Sequence, residues 1–393
     1  MTDKRRLYSL LALFFIPLAG ISTDIYLPSL PSLTAYFHVS KTMVQYTVTT
    51  FTLGMGFMQL MAGPISDALG RKKLLLGSAL VQIIAILLIL FSPSMGLMIF
   101  YRFVQGSAAA FMIVPSRAII SDLYEGDALK KQFNYITICF ALGPIVGPFI
   151  GGYLQEYFGW RSNFIFILCY AVIALLLIIF VLRETIPSTR RFSIMHLWHN
   201  YKIIVQNKFF VISSVFIGCM FAYTAFFNVA GPFLVEVGLQ RSPVTFGHMA
   251  LLIGFAWFIG NVLNRFLFEV NNHYKVVFGL AVTFIASLLM FVFSIFGHFT
   301  LALFIVPLFF MIMMSGGVFS IFASECLSLF RKLAASANAF LFGLSWTIFS
   351  LFSVIAAQTK AHSLTPVGIA LLLISCICIA IYAVIAKLQK SPD

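Results

Sequence analysis

The stretch ISTDIYLPSLP, residues 21–31, places Asp24 near the end of an apolar run that starts around Leu7. A carboxylate inside such a run is costly in lipid and marks a functional site by default. A second ionisable residue, Arg102, interrupts the apolar segment YRFVQGSAAA, and a third, Arg117, lies deep in the same run. Burial favours the neutral form of a carboxylate, and a nearby guanidinium favours the charged form. An arginine that moves relative to Asp24 would therefore load and release a proton there. A static alternative is an Asp24 that caps a helix end or pairs permanently. Arg117 is expected to pair with Asp67 or Asp122, or to contact an anionic substrate. Asp24 is the only acid expected inside a span, and His248 is read as a packed or hydrogen-bonded histidine.

The elements that must position these residues follow from composition. Apolar residues make up 61% of the 393-residue chain and charged residues 9%, against about 25% charged in soluble domains. Such a chain cannot cover a globule with polar surface, so lipid is its solvent. A spanning helix needs about 20 mostly apolar residues. Twelve runs fit: 7–28, 43–63, 74–92, 97–121, 133–154, 162–182, 209–233, 243–265, 276–296, 299–323, 334–357 and 364–387. They are too long for barrel strands, so an all-α membrane protein with twelve transmembrane helices is expected. The first run has no small-residue cleavage site and reads as a retained helix. The longest polar break gives a six-helix bundle over 1–182, a cytoplasmic linker over 183–208 and a second six-helix bundle over 209–393.

Lys and Arg fix the expected orientation. With both termini in the cytoplasm, the inside segments hold Lys4, Arg5, Arg6, Arg71, Lys72, Lys73, Lys130, Lys131, Arg183, Arg190, Arg191, Arg331, Lys332 and others. The outside loops hold only Lys41, Arg161, Arg241 and Lys360. The net charge of +13 is therefore a topology signal and not a nucleic-acid one. Asp24 on the first helix and Arg102 on the fourth then both fall about one to one and a half turns from the outer boundary, at about 1.5 Å per residue. The six cysteines lie in apolar runs or at their edges and suit packing, not metal or redox chemistry. No phosphate-binding loop, catalytic triad or metal cluster is present, so no enzyme activity and no cofactor are expected.

Two further motifs and a set of aromatic residues bear on mechanism. In GPISDALGRKK, residues 63–73, Gly70 permits a tight turn, and Arg71 can pair with Asp122 at the end of the fourth span to hold the cytoplasmic side closed, with Asp67 alongside. In ALGPIVGPFIGG, residues 141–152, Gly143, Gly147 and Gly151 recur every four residues, so a close-packed helix face is expected. Pro144 and Pro148 in the same segment favour a bend, and Gly152 ends it. Tyr26, Phe51, Phe111, Tyr223 and Phe227 are candidate linings of a central cavity for apolar, aromatic compounds.

These motifs resemble those of the major facilitator superfamily. Gly63, Asp67, Gly70, Arg71, Lys72 and Lys73 match its signature loop, although Ala68 replaces a common arginine. Arg102, Gln105 and Gly106 match its R-x-x-Q-G pattern, which in the family is linked to proton coupling. The segment 141–152 resembles its antiporter motif, found in exporters. TDIYLPSLP, SRAIISDLY, FGWRSNF and AGPFLVEVGLQRSPVTFG resemble the bicyclomycin-resistance group of drug:proton antiporters. The second-half loop NRFLFEVNNHYK lacks a good copy of the signature. The resemblance implies a monomeric exporter in a bacterial inner membrane, exchanging a small amphipathic compound for protons by alternating access. A dedicated exporter of an endogenous metabolite such as a siderophore, and a proton-symport uptake carrier, are the alternatives.

Overall fold

A computed structural model describes residues 2–186, 193–297, 299–330, 333–360 and 363–390. Arg190, Arg191, Arg331 and Lys332 from the charge argument, and residues 187–192 of the expected linker, lie outside the described residues. The first half comprises α1 (Thr2–Asp24), a 3-10 turn (Leu27–Ser29), α2 (Leu30–Phe37), α3 (Lys41–Leu69), α4 (Arg71–Leu90), α5 (Met95–Leu123), α6 (Gly126–Phe158) and α7 (Trp160–Phe180). A short helix α8 (Ile194–Gln206) follows. The second half comprises α9 (Lys208–Met220), α10 (Ala222–Pro232), a π-helical turn (Phe233–Gly238), α11 (Pro243–Phe266), α12 (Asn272–Ile295), α13 (Leu301–Leu329), α14 (Ala334–Ala357) and α15 (Thr365–Lys390).

Among the described residues, eleven helical segments are long and apolar enough to cross a membrane. The twelfth, α3, has 29 residues, roughly 43 Å of helix against a hydrocarbon core of about 30 Å. Its lower hydropathy has a structural cause. Gln45, Thr47, Thr49, Thr52 and Gln59 are all buried on its inner faces, where Gln45 Nε2 and the three threonine hydroxyls are hydrogen-bonded. Twelve spans in two six-helix bundles result.

The turns are set by local chemistry. Gly70 has φ +93° and serves both as C-cap of α3 and as N-cap of α4, a backbone shape that disfavours a side chain. Asn207 caps α9 by accepting from the Phe210 N–H at 2.8 Å. Pro243 opens α11 behind Ser242, where its missing N–H costs nothing.

Lipid offers no hydrophobic drive between helices, so close approach comes from small residues. A Cβ on Gly54 or Gly106 would run into backbone of the facing helix, at Phe103 and Phe51 respectively. That fit locks α3 against α5. Gly260 and Gly316 play the same part between α11 and α13. Large apolar side chains such as Phe57, Ile84, Phe100 and Ile173 stay on the outside of the bundle, as a lipid-facing surface requires.

The halves meet along two seams, α3 with α14 and α6 with α11. At the end carrying Lys41, hydrogen bonds close the first seam. Lys41 Nζ donates to the Thr359 carbonyl, Thr42 Oγ1 to the Ala357 carbonyl at 3.2 Å, and Thr49 meets Ser353 at 2.7 Å. At the opposite end of the same helix Gly63 faces open space. Between these points Gly56 and Gly343 hold α3 and α14 in close contact.

Several expected boundaries move, the seventh span's among them. The seventh span does not end at 233, because the chain continues through the π-helical turn to Gly238. Glu236 therefore lies in the last helical turn of that segment. The apolar run in the sequence ends before Glu236, and a polar residue in a final turn cannot be told from loop by hydropathy.

Candidate functional site

The first span ends its regular helix at Asp24 and bends through the 3-10 turn into α2. The bend is held from below by Arg102 of α5, which is fully buried. Its guanidinium donates from Nη1 to Gln105 Oε1 at 2.6 Å and to the Ser22 carbonyl at 3.0 Å, and from Nε to the Thr47 carbonyl at 3.4 Å. It lies between the rings of Tyr26 and Phe51, each 4.2 Å from centroid to Cζ. Arg102 thus clamps the end of α1 against α3 through planar stacking and several donors, which a lysine could not reproduce.

Asp24 and Arg102 do not form a direct ion pair. Among the described residues the ion pairs are Arg71–Asp67 and Arg71–Asp122. Asp24, 4% exposed, instead accepts a hydrogen bond at Oδ1 from Asn228 Nδ2 at 3.0 Å. Asn228 belongs to α10, so this bond crosses from one half to the other. Sequence reading did not single out Asn228, a neutral residue in an apolar run.

The glycine face of α6 sets the depth of this contact. A Cβ on Gly143 would lie 2.6 Å from Gly20 backbone. One on Gly151 would overlap the Ile25 carbonyl, and one on Gly152 would lie 2.7 Å from the Pro243 carbonyl. Gly147 is looser, with Ile25 N at 3.4 Å and Asp24 Cβ at 3.6 Å from an added Cβ. The run therefore packs α6 onto α1 beside Asp24 and onto α11 of the other half. Pro144 and Pro148 stand inside this helix and line an adjoining cavity of about 90 Å³ together with Phe227, Asn228, Trp257 and Trp346. Asn228 thus touches both the cavity and Asp24.

The cavity candidates separate. Phe227 lines the cavity and stacks on Phe246 at 5.1 Å. Tyr26 and Phe51 belong to the Arg102 clamp. Tyr223 is buried within the second half, with its hydroxyl 2.9 Å from Ser375 Oγ. Phe111, half-buried on α5, is not among the residues lining this cavity. An all-round apolar helix gives no periodicity from which such directions could be read.

At the Gly70 end, Arg71 gathers three helix ends. Its Nε donates to Asp122 Oδ2 at 3.1 Å, and its Nη1 to Asp67 Oδ1 at 2.5 Å and Ser66 Oγ at 2.8 Å. Glu184, which follows α7, accepts from the Arg71 and Lys72 N–H groups at 2.9 and 3.2 Å. A carboxylate there complements the positive end of α4, and it sits against Gly70 where a Cβ would collide with it. Thr185 Oγ1 donates to Asp122 at 3.0 Å. Every member belongs to the first half or to the segment leaving it. Arg117 is not part of the cluster, because Arg71 occupies both acids it was expected to meet. Its guanidinium instead lies 4.9 Å from the ring of Phe342 in the second half and 5.5 Å from Phe140.

Removing Arg71 should accordingly loosen the first half from within. Arg71→Ala leaves the Asp122 carboxylate short of a donor, at a cost of about 1–3 kcal/mol, and is expected to lower the thermal unfolding midpoint in detergent. Thiol labelling of a Thr42→Cys probe at the far end is expected to stay unchanged. A rise in that labelling would show that the cluster also governs the seam.

Two other acids and bases complete the picture. Glu236 is half-buried, with Oε1 sealed from solvent and without a hydrogen-bond partner. His248 on α11 shares a 3.0 Å hydrogen bond with Tyr153 of α6 and packs on Phe149, so it is a seam residue. Among the described residues no cluster of His, Cys, Asp or Glu could hold a metal ion.

Twelve spans in two bundles, a narrow cavity on the seam and a buried carboxylate bonded across it describe a membrane carrier. The family model of the Major Facilitator Superfamily matches residues 12–357, and the chain belongs to that superfamily. A bicyclomycin resistance protein homolog of Haemophilus influenzae is 32% identical over 286 residues, covering 70% of each chain. The multidrug transporter MdfA of Yersinia pestis is 25% identical over 65% of this chain and 63% of its own. A bacterial homolog of the human lysosomal transporter Spinster, solved inward-facing and unoccupied, superposes over 100% of this chain and 99% of its own with TM-score 0.76 at 12% identity. The protein is a multi-pass membrane transporter, not an enzyme.

Proposed function

We propose that the protein exports small amphipathic compounds from a bacterial cytoplasm in exchange for protons, with Asp24 as the exchanging group. The reading rests first on the Asp24–Asn228 hydrogen bond, 3.0 Å long, which ties a buried carboxylate of one half to a cavity-lining amide of the other. A hydrogen bond to an ionised carboxylate is about twice as strong as one between neutral groups. With Asp24 charged, the bond resists separation of the halves. A proton on Asp24 weakens it, and a substrate entering the cavity competes for Asn228. The empty, deprotonated carrier then stays in place, and movement requires a proton in one direction and a substrate in the other. That is the logic of an exchanger.

With both termini in the cytoplasm, the Lys41 end is outside, and its closed seam corresponds to an inward-facing arrangement in which 1–182 and 209–393 rock about the site. The cavity of about 90 Å³ is smaller than the roughly 300–1,000 Å³ of a drug-sized site, so occupancy requires the halves to part further. Phe140, Phe221, Phe227, Trp257, Trp346 and Phe349 supply an aromatic lining, with Thr224 and Asn228 as its polar groups. Such a lining suits a flat apolar body bearing one hydrogen-bonding group. The name of the Haemophilus influenzae relative makes bicyclomycin the first compound to test.

The experiment uses inverted membrane vesicles acidified inside by respiration and loaded with a pH-gradient dye. Adding a transported compound is expected to discharge the gradient in vesicles holding the wild-type protein and not in those holding Asp24→Asn. A compound that accumulates in the vesicles without any discharge would overturn proton exchange.

A further inference from the structure

The segment between the halves contains α8, and the spanning core does not account for its exposed face. Leu197, Asn200 and Ile204 are buried against the bundle. Tyr201 donates its hydroxyl to the Leu60 carbonyl of α3 and packs on Phe340 of α14 with ring centroids 5.7 Å apart. Asn200 Nδ2 reaches Ser336 Oγ at 3.3 Å. The helix therefore straddles the α3–α14 seam and touches both halves.

Its depth decides what covers the other side. Leu60 lies nine residues before the end of α3 at Leu69, roughly 13 Å along the helix axis. Ser336, which Asn200 meets, lies in the first turn of α14, so α8 crosses the margin of the bundle with one side against α3 and the other turned away from the core. The same margin carries Phe57, 54% exposed, on the lipid-facing surface of α3. The outward face of α8 continues that surface with Ile194, Met195 and Trp198, which are 66%, 77% and 68% exposed, and with Val205.

Charge specifies the occupant further. From Ser193 to Lys208 the sequence SIMHLWHNYKIIVQNK holds Lys202, Lys208 and two histidines and no carboxylate. Lys202 stands on the exposed face beside Trp198, and the two line a shallow groove with His199 and Met195. Tryptophan belongs at the boundary between headgroups and acyl chains, and a lysine beside it reaches the phosphate level by extending its stem along that boundary. An amphipathic helix with this division of residues lies in the plane of the interface.

We propose that α8 is an interfacial helix that binds the anionic leaflet surface, with Trp198 and Met195 at the acyl boundary and Lys202 at the phosphates of acidic phospholipids. The lipid contact would then bear directly on the seam that α8 bridges. The proposal does not depend on the proton-exchange reading.

The test uses the full-length protein in phosphatidylcholine nanodiscs that carry a minor fraction of brominated lipid, either phosphatidylglycerol or phosphatidylcholine, brominated near the headgroup. The chain has four tryptophans, and the difference between wild type and Trp198→Phe isolates the Trp198 signal. Brominated phosphatidylglycerol is expected to quench that signal up to roughly fivefold more than brominated phosphatidylcholine, the scale of one lysine at an anionic surface. Lys202→Glu, a change at an exposed position, is expected to remove the difference. A Trp198 signal quenched by aqueous iodide and by neither lipid would overturn the docking. Equal quenching by the two lipids, or a preference that survives Lys202→Glu, would overturn the anionic assignment.

Discussion

Gly151→Ala is expected to abolish transport and cut the yield of folded protein about tenfold or more, whereas Gly147→Ala keeps both near wild type. The two glycines sit one turn apart on the same face of α6. The contrast follows from what an added methyl meets. At Gly147 the nearest atom is 3.4 Å away, ordinary van der Waals contact. At Gly151 the methyl would overlap the Ile25 carbonyl, and backbone cannot swing aside as a flexible side chain can. Overpacking a tight interface costs about 1–3 kcal/mol, and here relief requires moving the bend that carries Asp24. Gly143→Ala should resemble Gly151→Ala, since its Cβ would lie 2.6 Å from Gly20 backbone. Gly147→Leu reaches past the tolerant methyl position toward Asp24 and is expected to fold yet transport poorly. Gly63→Ala, in open space, is the control. Folded yield is read by size-exclusion chromatography of a fluorescent fusion, and transport in the same membranes. Equal behaviour of Gly147→Ala and Gly151→Ala would mean that the α1–α6 contact is not the constraint.

The pattern of legibility has physical reasons. Twelve spans were readable because lipid forces long apolar runs and basic residues sort to one side of them. Arg71 beside Asp122 was readable because both sit at helix ends on that side, with a glycine turn fixing the geometry. Glu184 was not, because its partners are backbone N–H groups at a helix start, which no residue type announces. Asn228 was invisible for a different reason. It is uncharged and bonds to a residue 204 positions away, so neither composition nor spacing points to it. The matched depths of Asp24 and Arg102 were read from residue counts, but depth does not fix azimuth. The structure turns Arg102 toward Ser22, Gln105 and two aromatic rings rather than onto the carboxylate.

That geometry changes how the coupling site must be probed. Arg102→Ala would empty a fully buried clamp and leave the Ser22 and Thr47 carbonyls and Gln105 Oε1 without their donor, so loss of transport there would report on folding. Asp24→Asn is the cleaner substitution. An amide keeps the volume of a carboxyl and can still hydrogen-bond Asn228, but it cannot release a proton. Transport driven by a pH gradient is expected to fall at least about tenfold, the scale of losing one group's exchange chemistry, while exchange of labelled for unlabelled substrate across the membrane continues. Asn228→Leu makes the converse test. It removes the amide from Asp24 while keeping a side chain of similar bulk, so the deprotonated carrier loses the bond that holds the halves. Proton leak without substrate is then expected to rise several-fold, because a roughly 1.5–3 kcal/mol hydrogen bond to a charged group no longer opposes the movement. Both variants are measured in proteoliposomes, with dye-reported proton flux recorded in the absence and presence of substrate. If Asp24→Asn still exchanges substrate for protons at the wild-type ratio, another group carries the proton. If Asn228→Leu transports tightly coupled and without leak, the cross-half bond is a packing contact and the coupling runs elsewhere.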